Sequence, residues 1–173
     1  MPEYDFATLS PHDFEILSRD LLQKEWNVTL ESFKSGRDSG IDLRYSRPEN
    51  QSNQIVQCKH YYRSGFSKLK SALENVELPK IKTLNPTRYV LTTSVSLSPS
   101  NKEDLLKILA PYCQSLADII GQDDLNNLLG KHEVIERRHF KLWLPSTEVL
   151  HRLLHNGVFT QSALEIDDIK RQL

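Results

Sequence analysis

The sequence of 173 residues predicts an α/β fold with at least one parallel pair of strands. Residues 41–45 and 55–59 alternate apolar and polar side chains at a period of two, the second less strictly, which indicates two short strands. Residues 88–94 form an apolar run with few charges, which is typical of a central strand. Helical patterns separate and follow these segments, and a strand, helix, strand, helix order implies helices packed on a partly parallel sheet.

The first helix is predicted to begin at Ser10. This residue type caps helices, Pro11 suits the first helical position, and Asp13 favours the positive end of the helix dipole. The apolar face that follows at helical spacing, up to about residue 24, consists of Phe14, Leu17, Leu21 and Leu22. A first strand is then expected over residues 26–33.

A second helix is expected over residues 66–76 and is interrupted by Pro79. Its predicted buried face consists of Leu69, Leu73 and Val76. After the central strand, Ser98 is predicted to cap a third helix. The apolar face of that third helix consists of Leu105, Leu106, Ile108 and Leu109.

From Ser115 onward the sequence predicts mainly helices, with Gly130 as a C-terminal stop. The predicted helical segments are 116–120, 125–129, 134–140 and 147–155. We therefore expect a core over residues 1–114 and a helical extension over residues 115–173 that packs on the core or leads to another domain.

Composition narrows the class of protein. Hydrophobic residues make up 38% of the chain and charged residues 26%, a balance typical of a globular protein rather than a disordered one. No apolar run approaches the roughly 20 residues that span a bilayer, and the acidic N-terminus lacks the basic start of a signal peptide. We expect no membrane association and a cytoplasmic location. Cys58 and Cys113 have no metal or disulfide spacing and are expected to be small buried residues in a reducing compartment.

The net charge of −1 hides an uneven distribution along the chain. Residues 1–33 carry two basic and seven acidic side chains, whereas residues 34–70 carry eight basic and three acidic ones. The basic residues of the second segment are interleaved with Tyr61, Tyr62 and Phe66. They form either a footprint for a phosphate backbone or a solvated rim that balances the acidic first helix.

The two alternating segments are predicted to form a hairpin, because residues 47–53 between them have a loop composition. In an antiparallel pair, Asp42, Gln57 and Lys59 converge on one polar pocket. Such a set suits a divalent cation that activates a water molecule against a phosphodiester. Asp42 would hold Mg²⁺, the Gln57 amide oxygen or the Cys58 backbone carbonyl would complete the shell, and Lys59 would orient or deprotonate the water. The alternative is a surface ion pair worth less than about 1 kcal/mol.

The sequence leaves the roles of Glu15 and His60 open. Glu15 lies beside the apolar stripe of the first helix and either reaches the site as a metal or water ligand or is solvated on the helix flank, which periodicity alone favours. His60 adjoins Lys59 and is a candidate contact for phosphate. Gly36 and Gly40, which precede Asp42, permit close approach of the backbone to a phosphate group.

These motifs together resemble the Mrr-like branch of the PD-(D/E)xK nuclease superfamily. The resemblance is carried by Phe14-Glu15 in the first helix, by residues 36–43 (GRDSGIDL) and by residues 55–61 (IVQCKHY). In that branch the glutamate of the last motif is commonly Gln, as in Gln57-Cys58-Lys59. The motifs span about the first 65 residues.

The resemblance implies a restriction-endonuclease-like α/β core, a central mixed sheet flanked by helices, and Mg²⁺-dependent cleavage of double-stranded DNA. Mn²⁺ is expected to substitute for Mg²⁺. By position, Asp42 and Gln57 would be metal ligands, Lys59 the water-activating group and Glu15 the first-helix acid. The candidate DNA-binding residues are Lys34, Arg37, His60, Tyr61, Arg63 and Lys68.

The C-terminal part resembles the N-terminal effector domain of STAND-type NTPases of bacterial antiphage defence, through residues 124–130, 139–144 and 149–156. This resemblance implies NTPase and sensor domains in the full-length protein, and a nuclease activated as a homodimer or higher oligomer. The alternative function is a catalytically inactive module that binds nucleic acid or mediates oligomerisation. An intact Asp, Gln-x-Lys set favours the enzyme, because a decayed site would lose costly buried charges first.

Overall fold

The computed structural model describes residues 3, 4, 6–33, 41–47 and 52–143. In order, the strands are β1 (Glu31–Ser32), β2 (Leu43–Arg47), β3 (Ser52–Lys59), β4 (Arg88–Thr93) and β5 (Ile119–Ile120). The helices are α1 (Pro11–Trp26), α2 (Gly65–Ala72), α3 (Leu78–Leu84), α4 (Pro99–Leu109), α5 (Gln122–Lys131) and α6 (Glu133–Arg138). A π-helical turn (Leu73–Glu77) joins α2 to α3, and 3₁₀ turns cover Leu116–Asp118 and Phe140–Leu142. None of these helices combines the length and apolar character needed to cross a bilayer.

The five strands form one mixed sheet in the order β1-β2-β3-β4-β5. β1, β2 and β3 pair antiparallel, whereas β3, β4 and β5 are parallel to one another. The predicted α/β class with a parallel pair is confirmed. So is the hairpin, which pairs Leu43 with Val56, although its first strand starts at Leu43 rather than at Ile41.

The sheet separates two apolar cores, as the alternation of side chains along β3 and β4 requires. Val56 and Val90 face the core formed with α1, α5 and α6. Ile55, Tyr89 and Leu91 face the core formed with α2, α3 and α4. Helices on both faces bury the two central strands almost completely, so groups on β3 lie in a low-dielectric setting.

Helix α1 begins where the sequence predicts. The Ser10 hydroxyl accepts a hydrogen bond from the Asp13 N–H, and the Asp13 carboxylate accepts one from the Ser10 N–H, which forms a capping box. The helix continues to Trp26 and ends at Asn27, which has a left-handed conformation. The strand predicted over 26–33 is therefore wrong for most of its length, since only β1 pairs with the sheet.

The connection between β3 and β4 also differs from the prediction. The helix continues through residue 84, because Pro79 lies in the first turn of α3, where its missing N–H costs nothing. Val76, predicted to be buried, is 50% exposed, and Glu77 is 5% exposed instead. The π-helical turn adds a residue to one helical turn and thereby moves Glu77 onto the inner face.

The segment after Ser115 contributes to the sheet as well as to the helical layer. Residues 119–120, predicted as helical, form β5, which pairs with Leu91 and Thr92 of β4. Gly130, predicted as a helix stop, lies within α5. Leu125 and Leu129 of α5 pack in the same core as α1. The domain boundary at residue 114 remains a prediction, and the predicted helix over 147–155 lies outside the described residues, as do residues 34–40.

We predict that removing the Ser10 hydroxyl destabilises the fold through the start of α1. Ser10→Ala should lower the free energy of unfolding by about 1 kcal/mol, because it leaves a backbone N–H of the first turn without its capping partner. Ser64→Ala is the matched control, since Ser64 occupies the N-cap of α2 without a side-chain cap hydrogen bond. Equal losses in urea denaturation for the two variants would contradict this interpretation.

Candidate active site

Asp42 lies immediately before β2 and is fixed by the backbone of β3. Its Oδ2 accepts a hydrogen bond of 2.6 Å from the Cys58 N–H. The N–H and C=O of one strand residue point to the same side, so the Cys58 carbonyl is directed toward the same edge. The Cys58 thiol is not part of the site chemistry, because burial raises its pKa to about 12.

Glu15 on α1 lies close enough to Asp42 for the charge of Asp42 to affect the pKa of Glu15. Burial raises the pKa of Glu15, and the charge of Asp42 raises it further. Burial also raises the pKa of Asp42, against the Cys58 N–H and the charge of Lys59, which lower it. Helix α1 and the hairpin therefore bring two partly buried acids together at one end of the sheet.

Gln57 lies between two buried partners, on the face of β3 that packs against α2, α3 and α4. Its side chain is 1% exposed. The amide nitrogen donates to Glu77 Oε2 over 2.7 Å, and the amide oxygen accepts from the Tyr89 hydroxyl. Burial raises the pKa of Tyr89 well above its ordinary value, so the phenol stays protonated and donates. The structure thus directs the Gln57 amide oxygen at Tyr89.

Lys59 forms a largely buried ion pair with Glu77. Lys59 Nζ lies 2.8 Å from Glu77 Oε1, and the two side chains are 17% and 6% exposed. Lys80 Nζ approaches the same carboxylate from outside, at 3.3 Å. Burial alone would raise the pKa of Glu77, but hydrogen bonds from Lys59 and Gln57 and the charges of both lysines lower it below its ordinary value. Glu77 is therefore a carboxylate at neutral pH.

Sequence reasoning missed Glu77, which belongs to this site by geometry. A helical signal was present, because Leu69, Leu73, Glu77 and Ile81 recur at intervals of four residues. A regular α-helix would drift away from such a spacing, whereas the π-helical turn keeps these residues on one face. An acidic residue in an otherwise apolar stripe marks a buried charge that requires a partner.

The predicted DNA-binding residues occupy different environments. His60 stacks on Phe14, and its Nε2 lies 2.9 Å from the Leu9 carbonyl oxygen. Burial lowers the pKa of His60, so the ring is neutral at pH 7 and joins α1 to β3. Arg63 is exposed near the end of the loop between β3 and α2. A cavity of about 290 Å³ beside this loop is lined by Ala7, Leu9, His60, Tyr61, Tyr62, Arg63 and Ser64.

Of the three remaining predicted DNA contacts, one lies within the described residues. Lys68 is exposed in α2, and among the described residues neither it nor Arg63 has an acidic partner at ion-pair distance. Lys34 and Arg37 lie outside the described residues. The predicted basic rim is partly neutralised, because Arg44 pairs with Glu31 and Lys70 pairs with Asp104.

The donor chemistry at Asp42 fits Mg²⁺. Within the described residues, no group of three or more His, Cys, Asp or Glu side chains is arranged for a metal ion. Mg²⁺ sites commonly use one or two carboxylates and leave the rest of the shell to water and substrate phosphates. Asp42, Glu15 and the Cys58 carbonyl are oxygen donors of this kind, and a cation would offset the Asp42 charge that raises the pKa of Glu15.

Comparison with known proteins finds a family match in the first half of the chain. Residues 6–87 match the Mrr_cat family model, described as restriction endonuclease, and this confirms the predicted resemblance over that range. The mixed sheet flanked by helices is the restriction-endonuclease-like α/β fold that the resemblance implied. No solved structure matches the chain significantly.

A curated relative extends beyond the matched domain. The chain is 48% identical over 156 residues to the uncharacterized protein y4cD of Sinorhizobium fredii (strain NBRC 101917 / NGR234). The similarity covers 90% of this chain but 24% of that protein, so the chain spans about a quarter of the relative's length.

We predict that Tyr89→Phe destabilises the protein by about 1–3 kcal/mol, because it removes a buried hydrogen bond from the Tyr89 hydroxyl to the Gln57 amide oxygen. The measurement is the free energy of unfolding in urea. Tyr112→Phe, at the edge of the same core, is the control and should change stability little. Wild-type stability of Tyr89→Phe would show that the Gln57 amide oxygen has another partner of equal strength.

Proposed function

We propose that this protein is a metal-dependent DNA endonuclease. The observation that carries the proposal is the position of Asp42 and Glu15 at one end of the sheet, with Lys59 close enough to influence Asp42. These groups supply a metal-binding edge and a fixed ammonium group within one site. The match of residues 6–87 to a restriction endonuclease family supports the same chemistry.

In the proposed mechanism, Asp42, Glu15 and the Cys58 carbonyl would hold Mg²⁺. Gln57 remains a proposed second ligand, which would require its amide oxygen to leave Tyr89. The bound cation would polarise the phosphoryl group and lower the pKa of a coordinated water.

Lys59 is proposed to orient the attacking water and to stabilise the charge that develops on the phosphate oxygens. During hydrolysis a bond forms between the water oxygen and phosphorus, the bond to the leaving oxygen breaks, and one proton passes from the water to solvent. The leaving oxygen takes up a proton. The ion pair between Lys59 and Glu77 holds Lys59 as an ammonium donor. This favours the role of Lys59 in orienting the water over a role as a base.

The DNA backbone is proposed to lie across the loop between β3 and α2, beside the 290 Å³ cavity. Arg63 and Lys68 present exposed positive charge there, and Tyr61 and Tyr62 supply aromatic surface. His60, Lys34 and Arg37 remain proposed contacts from the sequence motifs. The neutral ring of His60 suits a hydrogen bond better than an ion pair.

We further propose that the nuclease is an effector domain of a larger antiphage protein and is activated by oligomerisation. The C-terminal resemblance to STAND effector domains supports this proposal. The span of about a quarter of a longer relative is compatible with it. One active site cuts one strand in the simplest scheme, so a double-strand break calls for at least two copies.

We predict that Asp42→Asn and Lys59→Met each reduce Mg²⁺-dependent plasmid cleavage by more than about 100-fold, because each removes charge that acts on the transition state. Asp104→Asn and Lys107→Met, on the surface of α4, are the charge-matched controls and should cleave normally. Asp42→Asn should also weaken Mn²⁺ binding in calorimetry without DNA. All variants are compared alone and fused to a dimeric coiled coil.

Wild-type cleavage by both site variants would refute the proposed enzyme. A folded protein that binds DNA with steep salt dependence, yet cuts none even as a forced dimer, would instead support the inactive binding module. If the dimeric fusion cuts no faster than the isolated chain, the proposed activation by oligomerisation is wrong.

We predict that Arg63→Gln and Lys68→Gln weaken DNA binding at low salt and each reduce the slope of log affinity against log salt by about 1, because each removes one phosphate contact. Turnover at saturating DNA should stay close to wild type. Lys24→Gln is the control, since Lys24 lies in the last turn of α1, far along the helix from Glu15. Unchanged slopes for Arg63→Gln and Lys68→Gln would place the DNA elsewhere.

A further inference from the structure

We propose that Glu77 is the positioning residue of this site: it holds the Lys59 ammonium group in place and requires an amide at position 57. The inference rests on the proposed nuclease function for its catalytic consequence. The structural part, that Glu77 immobilises Lys59, stands on the geometry alone.

The two carboxylate oxygens of Glu77 bind different partners. Oε1 binds Lys59 Nζ over 2.8 Å, and Oε2 accepts from the Gln57 amide nitrogen over 2.7 Å. Gln57 is held in turn by the Tyr89 hydroxyl. A continuous hydrogen-bonded chain therefore runs from β4 through β3 to the π-helical turn and ends at Lys59. Because Tyr89, Gln57 and Glu77 are at most 5% exposed, water does not compete for these bonds.

The backbone conformation around Glu77 places its side chain against β3. Leu73 and Ile81, four residues to either side, are at most 2% exposed and anchor the π-helical turn and α3 on the sheet. The turn interrupts the regular α-helical hydrogen bonding, and such interruptions occur frequently at functional sites. Glu77 lies within it, whereas Glu74 and Val76 of the same turn are exposed.

The geometry indicates that Glu77 positions Lys59 rather than Lys80. Lys80 Nζ lies 3.3 and 3.4 Å from the two oxygens, and its side chain is 41% exposed. Lys59 lies closer and is 17% exposed. A lysine side chain has four flexible bonds, so one that must meet a phosphate in a fixed geometry gains from a fixed counter-ion.

The same contacts explain why an amide suits position 57. A carboxylate there would lie within hydrogen-bond distance of the Glu77 carboxylate, and two charges so close could not both stay ionised without large cost. Gln57 instead donates to Glu77 and accepts from Tyr89. We infer that Gln57 and Glu77 act as a unit, in which Gln57 of β3 supplies the donor and Glu77 of the π-helical turn supplies the carboxylate.

The test is the kinetics of Glu77→Gln with the full chain in the assay that shows wild-type activity. We expect kcat to fall about 10- to 100-fold, as for other residues that orient catalytic groups. The KM for DNA and the Mg²⁺ concentration for half-maximal rate should change little, because Glu77 contacts neither. Glu74→Gln, an exposed carboxylate of the same π-helical turn, is the control and should behave as wild type.

A charge exchange separates positioning from stability. The double variant Gln57→Glu with Glu77→Gln restores one donor and one acceptor between the two positions, but it removes the carboxylate from Lys59. We expect its stability to recover toward wild type while kcat stays low. Recovery of kcat together with stability would overturn the positioning role and leave a structural one.

Two further outcomes would overturn the inference. If high Mg²⁺ restores the rate of Glu77→Gln, Glu77 is a metal ligand rather than a positioning residue. A kcat within about twofold of wild type in folded Glu77→Gln is also incompatible with it.

An activity-independent measurement keeps this inference distinct from the proposed function. The acetylation rate of Lys59 by an amine-reactive ester, followed by mass spectrometry, should rise severalfold in Glu77→Gln and not in Glu74→Gln. Equal rates would refute immobilisation of Lys59. If the wild type cuts no DNA but the rates differ, the nuclease proposal fails and the structural part of the inference holds.

Discussion

The parallel pairing of β3 with β4 is the constraint on which the rest of the structure depends. Lys59 pairs with Thr93 at the C-terminal ends of these strands. After β3 the chain must therefore return to the opposite end of the sheet before β4 can begin. A crossover over one face is the only short route between parallel neighbours. Helices α2 and α3 make that crossover, and it carries Glu77 over the face of β3 that presents Gln57 and Lys59.

Burying these charged groups is costly, and their mutual contacts offset the cost. Burial of a carboxylate without a partner costs several kcal/mol of folding free energy, and removing one member of a buried ion pair typically destabilises a protein by about 3–5 kcal/mol. Glu77 has a lysine, an amide and a second, more exposed lysine as partners. Such a fully satisfied network restricts Lys59 to one arrangement, which a surface ion pair would not do.

A second pair of acids, Asp42 and Glu15, has a different chemical character. Burial raises the pKa of both, and neither has a described lysine as an ion-pair partner, whereas the partners of Glu77 lower its pKa. The site thus holds acids that a cation would stabilise close to an acid already paired with lysine, and the charge of Glu77 itself raises the pKa of Asp42. His60 stacks on Phe14 at the end of β3 and fixes the start of α1, and with it Glu15, against the sheet.

The sequence by itself determined the local features: the capped start of α1, the hairpin, the central strand β4 and the alternation that separates Asp42 from its apolar neighbours. These depend on residue type and short spacing, which act through local backbone preferences and the period of side chains. Only the tertiary structure decided that Glu77 joins Lys59, that residues 119–120 form a strand, and that the helix passes through Pro79. Each of these depends on partners distant in the chain. The π-helical turn is stabilised because Leu73 and Ile81 pack on the sheet, and β5 forms because it pairs with β4.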